Sequence, residues 1–206
     1  MHLIQNEQTL LTLSANVIGF YSGTFNPFHH GHLSCVKQAL ANGIQHVVIC
    51  PHDFNSLKAN DLLAFEVRIE IIRRVLRHSN FQSRISLLDK RYIEGIQNEK
   101  FINLEEKASI QGKEFWVIRG SDSLIKNLDR GEYKLMHLPH IICMRGEDLD
   151  LPKKVLTSMD ILTVHVSQHI SSRDIRRNYK DDNSYSYYSN HFPDSQLDRY
   201  IADHLI

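Results

Sequence analysis

Residues 16–50 place a strand, a loop, a helix and a second strand in direct succession, and this order limits the folds open to the chain. The short apolar run from Asn16 to Tyr21 is typical of a buried strand. A helical pattern begins near Gly31 and ends at Gly43, because glycine commonly terminates helices. The apolar run Ile44–Cys50 then predicts a second buried strand.

Helices and strands alternate along the rest of the chain as well. A long amphipathic helix is predicted at Asp61–His78, and further strands are predicted at Phe81–Leu88, Glu114–Arg119, Ile141–Arg145 and Asp160–Val166. Alternating strands and helices imply parallel pairing through right-handed crossovers. We therefore predict an α/β fold, Rossmann-like and doubly wound, with a mainly parallel sheet and helices on both faces. Ligands of such sheets bind beyond the carboxyl ends of the strands, where the strand order reverses.

The chain length of 206 residues fits one compact domain. We expect residues 1–14 to be an N-terminal extension and residues 15–206 to form a single domain. Within that domain, the segment Arg91–Lys113 is polar and could form a helical insertion that covers the site.

Charge and composition favour small ligands over a polymeric partner. The 24 basic and 24 acidic side chains cancel, so no overall field attracts nucleic acid or an anionic membrane. Neither a transmembrane run nor a signal peptide is recognisable, so a cytoplasmic protein is expected. Cys35, Cys50 and Cys143 lie in apolar patterns without CxxC spacing, which predicts buried free thiols. The sequence leaves open whether the protein forms a homo-oligomer.

The loop after the first predicted strand has the residues of a phosphate site. Ser22 and Gly23 are expected to form a tight turn, and Gly23 lets an anion approach the backbone N–H groups because it has no Cβ. Pro27 stiffens the loop. The following helix offers N–H groups and the positive end of its dipole. His29 and His32 lie three residues apart, so both can donate hydrogen bonds to one phosphate.

The stretch GTFNPFHHGH, residues 23–32, resembles the HxGH signature of the nucleotidylyltransferase superfamily. Its form is similar to that of the nicotinate and nicotinamide mononucleotide adenylyltransferases, although Ser22 stands where many members carry a second glycine. The resemblance implies catalytic roles for His29 and His32, acceptor binding by Asn26, and ATP binding by Gly23, Thr24, Phe25 and His32.

A second motif, ISSRDIRR at residues 170–177, follows the last predicted strand. Ser171 or Ser172 can cap the next helix, and the arginines crowd positive charge into its first turns. The residues alone also fit a surface helix whose arginines pair with acidic neighbours or solvent. The stretch resembles the family's ISSTxIR motif, which implies that Ser171, Ser172 and Arg176 bind ATP and that Arg176 is catalytic. Arg173 replaces the family threonine.

Other parts of the chain extend the resemblance unevenly. Gly120–Asp122, GSD, resembles the family's GxD element and implies that Gly120 and Asp122 contact ATP. The last residues look like the family's closing helix. The Ser-Tyr-Thr segment of the acceptor side is absent near residues 94–107, and Tyr133 is only a loose substitute for the family tryptophan. Lys58 is a further candidate for an acceptor or phosphate contact.

The resemblance implies an adenylyltransferase that joins AMP from ATP to a nucleoside 5′-monophosphate, preferably nicotinate mononucleotide, and releases pyrophosphate. Mg²⁺ is expected to accompany ATP, held by phosphate oxygens and water, and no side chain is predicted as a metal ligand. Nicotinamide mononucleotide, phosphopantetheine and a non-catalytic nucleotide-binding regulator remain as alternatives. A metal hydrolase lacks support because no HExxH pattern accompanies the histidines, and neither a Walker A nor a GxGxxG motif occurs.

Overall fold

A computed structural model describes residues 2–53, 62–77, 79–89, 99–131, 135–145, 159–166, 171–181, 192 and 195–205. In these ranges the strands are β1 (His2–Ile4), β2 (Val17–Gly23), β3 (His46–Pro51), β4 (Ile85–Leu88), β5 (Glu114–Gly120), β6 (His140–Arg145) and β7 (Ile161–Val166). The helices are α1 (Glu7–Leu11), α2 (His30–Ala41), α3 (Phe65–Arg77), α4 (Glu99–Ile110), α5 (Ser121–Asp129), α6 (Ser172–Asp181) and α7 (Ser195–Leu205).

All seven strands form one sheet in the order β1-β4-β3-β2-β5-β6-β7, and every neighbouring pair is parallel. Strands β2, β3 and β4 progress toward one edge, whereas β5, β6 and β7 progress toward the other. The strand order therefore reverses between β2 and β5, which is where a doubly wound sheet binds its ligand. The predicted α/β, Rossmann-like fold is confirmed.

Helices cover both faces of this sheet, and each face has its own apolar core. The first core contains Leu33 and Val36 of α2, Ile72 of α3 and Ile201 of α7. The second core lies on the other face and contains Leu10 of α1 together with residues of α4. None of the helices in the described ranges is long and apolar enough to cross a membrane.

The expected N-terminal extension contributes to the domain directly. Strand β1 pairs with β4, and Ile4, which lies opposite Leu88, is fully buried. Asn6 caps α1 by accepting the Thr9 N–H at 2.9 Å, and Leu10 is fully buried in the second core. A strand of three residues is too short to produce a readable alternation, which is why the sequence predicted no strand there.

Several predicted boundaries move by a few residues. The tight turn expected at Ser22 and Gly23 is wrong, because β2 continues through both residues and Gly23 pairs with Pro51. The third predicted strand begins at Ile85, since a 3₁₀ turn occupies residues 82–84. Arg84 of that turn donates to the Ile44 carbonyl at 2.7 Å. The long helix starts at Phe65 rather than at residue 61, which lies outside the described ranges.

The prediction for the cysteines is confirmed. Cys35, Cys50 and Cys143 are all buried and free. Burial raises the pKa of the Cys50 thiol to about 12, so it stays protonated and inert at neutral pH.

The N-terminal segment is expected to stabilise the whole domain. Leu10→Ala should lower the free energy of unfolding by about 2–5 kcal/mol, because it removes a fully buried side chain from the second core. Leu3→Ala is the control, since Leu3 is 37% exposed. Equal urea midpoints for the wild type and Leu10→Ala would show that this segment does not take part in cooperative unfolding.

Candidate active site

The loop between β2 and α2 lies at the point where the strand order reverses. Its sharp turn occurs at Phe25, whose φ of 48° places a bulky side chain in the left-handed region. Such a conformation costs about 1–3 kcal/mol and has to be held by its surroundings. The Phe25 ring packs edge-on against Tyr21, at 5.1 Å between centroids, and against Phe28, at 5.4 Å. A Cβ on Gly23 would lie 2.9 Å from this ring, so close packing requires the glycine.

Side chains from two helices hold the carbonyl groups of this loop. Arg68 donates to the Thr24 carbonyl at 2.7 Å, Ser172 donates to the Pro27 carbonyl at 2.9 Å, and Arg176 donates to the Asn26 carbonyl. In a trans peptide group the N–H points opposite to the C=O. The N–H groups of Phe25 and Phe28 therefore point away from these side chains.

The structure brings the two predicted catalytic histidines together, with ring centroids 4.0 Å apart. His29 is the N-cap of α2, and its Nδ1 accepts the Gly31 N–H at 3.0 Å. His32 Nδ1 accepts the His29 N–H at 3.3 Å. Because both Nδ1 atoms are acceptors, each neutral ring carries its proton on Nε2. The first turn of α2 thus fixes two neighbouring Nε2–H donors.

Helix α6 meets the same loop with its first turns. Ser171 is the N-cap, since its hydroxyl accepts the Asp174 N–H at 3.1 Å. Ser172 and Arg176 face the loop, and Arg176 is only 7% exposed. Arg173 and Arg177 are exposed. The prediction that a serine caps this helix is confirmed.

Arg68 is the part of the site that the sequence analysis missed. It is fully buried, and besides Thr24 it donates to the carbonyls of Leu63 at 2.9 Å, His52 at 2.6 Å and Asp53 at 2.9 Å. Burial lowers the pKa of its guanidinium. The available signal was its position on the apolar stripe of α3, three residues after Phe65 and four before Ile72.

The GSD element lies at the carboxyl end of β5, directly beside β2. Gly120 is the N-cap of α5, and open space surrounds the position that its Cβ would occupy. Ser121 is fully buried, whereas Asp122 is exposed in the first turn. Gly120 and Asp122 therefore share one edge of the sheet with the loop that contains the histidines.

Of the three residues predicted to contact the acceptor, the structure describes only Asn26. Asn26 is 1% exposed, and its side-chain oxygen accepts the Leu63 N–H at 3.0 Å, so in this structure it ties two loops together. Lys58 and Tyr133 lie outside the described residues, as does part of the predicted insertion at 91–113, in which α4 is the described helix. Within the described ranges, no group of three or more His, Cys, Asp or Glu residues could hold a metal ion.

A buried histidine of β6 makes stability depend on pH. His140 is fully buried, and its Nδ1 lies 2.7 Å from the Leu138 carbonyl, to which it donates. Burial, with a smaller effect from the charge of Arg119, lowers the pKa of His140 from 6.5 to about 4. The unfolded chain therefore binds more protons between these values. This stabilising contribution is complete above pH 6.5 and is lost as the pH falls through about 4.

On acidification from pH 7 to pH 5, the free energy of unfolding should therefore fall less for His140→Gln than for the wild type. The difference between the two decreases should be about 2 kcal/mol. Urea unfolding at the two pH values measures this difference. His165→Gln, at an exposed position of β7, is the control and should follow the wild type. Parallel losses for His140→Gln and the wild type would contradict a neutral His140.

Arg68→Met should lower the free energy of unfolding by about 3 kcal/mol or more, because it leaves several buried carbonyl groups without a donor. Arg74→Met is the matched control in the same helix. Arg74 is partly exposed and pairs with Glu70 at 2.9 Å, which is worth about 1 kcal/mol or less. If the two variants unfold at the same urea concentration, Arg68 does not hold the loop.

The chain is similar to known proteins in both sequence and structure. A Fusobacterium nucleatum protein named "Probable nicotinate-nucleotide adenylyltransferase" is 28% identical over 172 residues, covering 79% of this chain and 87% of the relative. A Nitratiruptor sp. protein of the same name is 26% identical over 166 residues, covering 77% and 86%. Nicotinic acid mononucleotide adenylyltransferase from Plasmodium falciparum, solved in complex with NaAD, shares the fold with a TM-score of 0.68 at 18% identity, covering 92% of this chain and 98% of that one.

The cytidylyltransferase-like family model matches residues 20–178, a span that includes the histidine loop, the GSD element and the first turns of α6. These are the same three motifs on which the predicted resemblance rested, and the prediction of the family is confirmed. The chain belongs to the cytidylyltransferase-like family.

Proposed function

We propose that the protein is an adenylyltransferase that transfers AMP from ATP to nicotinate mononucleotide, forming a dinucleotide of NAD biosynthesis and pyrophosphate. The observation that carries this proposal is the pair of Nε2–H donors on His29 and His32 at the start of α2. Two imidazoles that hold their Nδ1 atoms toward backbone N–H groups keep Nε2–H free of the helix cap as a donor, and such donors suit an oxyanion. The names of the curated relatives support the choice of substrates.

The reaction needs no covalent enzyme intermediate. The acceptor phosphate is already a competent nucleophile at neutral pH, and its oxygen attacks the α-phosphorus of ATP as the bond to pyrophosphate breaks. Catalysis then consists of positioning the groups in line and stabilising the negative charge that develops. We assign this stabilisation to His29, His32 and the N–H groups near Thr24 and Phe25.

Helix α6 supplies the remaining phosphate contacts in this proposal. Arg176 reaches the Asn26 carbonyl through Nη1, which places its guanidinium beside the loop. Arginine presents a planar fork of donors, so the same side chain can hold the loop and contact an ATP phosphate. Ser171 and Ser172 lie at the start of α6, where the helix dipole also favours an anion.

The nucleoside part of ATP is assigned to the GSD element. Gly120 borders open space, and the exposed Asp122 can accept hydrogen bonds from ribose hydroxyls. The first turn of α5 follows β5, and the histidine loop follows the adjacent strand β2, so one nucleotide can span both.

Mg²⁺ fits this chemistry as a partner of ATP. The described side chains at the loop are hydrogen-bond donors, namely histidine, arginine and serine, so they would bind phosphate oxygens and leave other oxygens to the ion. The ion would neutralise part of the triphosphate charge and of the leaving pyrophosphate.

The acceptor is tested directly by product formation. Purified protein is incubated with Mg²⁺-ATP and, separately, nicotinate mononucleotide, nicotinamide mononucleotide, phosphopantetheine or no acceptor, and pyrophosphate and product are measured. We expect turnover with nicotinate mononucleotide, and we assign contacts to this acceptor to Asn26, Lys58 and Tyr133. A preference for phosphopantetheine would indicate a sister activity, and ATP binding without turnover would indicate a regulatory protein.

His32→Ala should reduce the rate of pyrophosphate release about 100-fold or more, because it removes a donor to the developing oxyanion. His30→Ala is the matched control in the same turn, since the proposal gives His30 no contact with substrate. Circular dichroism verifies that both variants are folded. Normal turnover by folded His32→Ala would remove this residue from the mechanism.

Arg176→Met should weaken ATP binding, measured by calorimetry, by about 10-fold or more, because hydrogen bonds to charged groups are worth about 1.5–3 kcal/mol. Arg177→Met is the control, because Arg177 is exposed on α6. Equal losses of affinity in the two variants would mean that the phosphate contact has been assigned to the wrong residue.

A further inference from the structure

Arg119 occupies a position that the proposed mechanism does not use. It precedes Gly120 at the carboxyl end of β5, and it follows Ile118, which pairs with Tyr21 of β2. Side chains alternate along a strand, so Arg119 shares the face of Phe115 and Val117, which belong to the second core. It therefore leaves the sheet next to Ser22, on the face opposite α2.

Arg119 has no counter-charge in the described part of the chain. Its Nη1 is buried and makes no hydrogen bond, and no salt bridge involving Arg119 is formed among the described residues. Burial lowers the pKa of the guanidinium to about 10, so it remains charged at neutral pH. The buried Arg68, by contrast, donates hydrogen bonds to several backbone carbonyl groups. An unpaired buried guanidinium nitrogen is costly, and a bound anion would offset that cost.

The polar neighbours of Arg119 point to an anionic ligand. His140 lies on the same face, because it pairs with Val117 of β5, and it is held neutral in part by the charge of Arg119. The hydroxyl of Ser121 is buried without a hydrogen-bond partner in the described residues, so it can donate to an anion beside the guanidinium. The Nε2 of His140 carries no proton, because Nδ1 donates to the Leu138 carbonyl, and it therefore adds no donor to such a site. No described carboxylate offsets the guanidinium. A bound anion would supply the negative charge that the described residues do not.

The position on the sheet distinguishes the acceptor from ATP. The donors assigned to the ATP phosphates lie at the starts of α2 and α6, and both helices pack on the first core. In an in-line displacement the nucleophile approaches opposite to the leaving pyrophosphate. Arg119 leaves the sheet on the face of the second core, opposite these donors. Its position therefore suits the acceptor, which is the attacking molecule.

We propose that Arg119 binds an anionic group of the acceptor mononucleotide and is a specificity-determining residue of this enzyme. The inference rests on the proposed function. Nicotinate mononucleotide has two anionic groups that a guanidinium can bind: its phosphate and the carboxylate on its pyridine ring.

Steady-state kinetics with nicotinate mononucleotide and nicotinamide mononucleotide show whether Arg119 binds the carboxylate or the phosphate. Arg119→Met should raise the KM for nicotinate mononucleotide about 10- to 100-fold and leave the KM for ATP unchanged. If the ligand is the carboxylate, the KM for nicotinamide mononucleotide stays the same. If it is the phosphate, that KM rises equally. Arg119→Lys should restore part of the affinity, and Arg130→Met, at an exposed position after α5, is the control. Unchanged KM values for the acceptors, or a rise for ATP alone, would overturn the proposal.

Thermal unfolding gives a readout that does not depend on turnover. Arg119→Met should raise the Tm of the ligand-free protein by a few degrees, because it removes an unpaired buried charge, and it should reduce the Tm increase caused by nicotinate mononucleotide. A purely structural arginine would give a lower Tm instead, which would overturn the proposal. If nicotinate mononucleotide stabilises the wild type and Arg119→Met equally, the inference fails although the acceptor is correct. If no mononucleotide stabilises the wild type, the proposed function fails as well.

Discussion

Capture of backbone carbonyl groups by buried side chains is the interaction on which the candidate active site depends. Arg68 binds carbonyls from three separate segments, including Thr24 of the histidine loop and His52 after β3. A loop whose residue Phe25 has a positive φ would relax without such constraints. Each held carbonyl of a trans peptide unit also fixes the direction of the N–H group in the same unit. In the proposed mechanism, α3 thereby holds the loop in one conformation before substrate arrives, which is the basis of electrostatic preorganisation.

The two histidines of the loop also have a structural role besides their proposed catalytic one. His29 caps α2 and His32 closes the capping box, so the residues that bind substrate in the proposed mechanism also satisfy the helix start. Each Nδ1 accepts a backbone N–H, and this fixes the tautomer of the neutral ring. The described site is therefore rich in donors. Such a site complements phosphate, and in the proposed mechanism arginine and a divalent ion offset the remaining charge of ATP.

The sequence predicted the fold and the placement of the main motifs because both rest on local patterns. Apolar runs and helical periodicity identify β2, α2 and the parallel sheet, and GTFNPFHHGH marks the loop by its residue types. Arg68 escaped prediction because its acceptors come from distant segments. Strand β1 escaped because pairing with β4 defines it more than its composition does. The turn was misplaced because glycine suggested it at Gly23, whereas packing of the Phe25 ring decides it.

The hydrogen bonds from α6 to the loop join parts of the chain that lie far apart in sequence. Ser172 and Pro27 are separated by 145 residues, and Arg176 and Asn26 by 150. The loop therefore acquires its final shape only when residues 172–176 have been synthesised and pack against it. Contacts of such long sequence separation are typical of folds that form more slowly than helical bundles. In the proposed mechanism, ATP binding therefore depends on contacts between residues 26–27 and residues 172–176, which only the folded chain brings together.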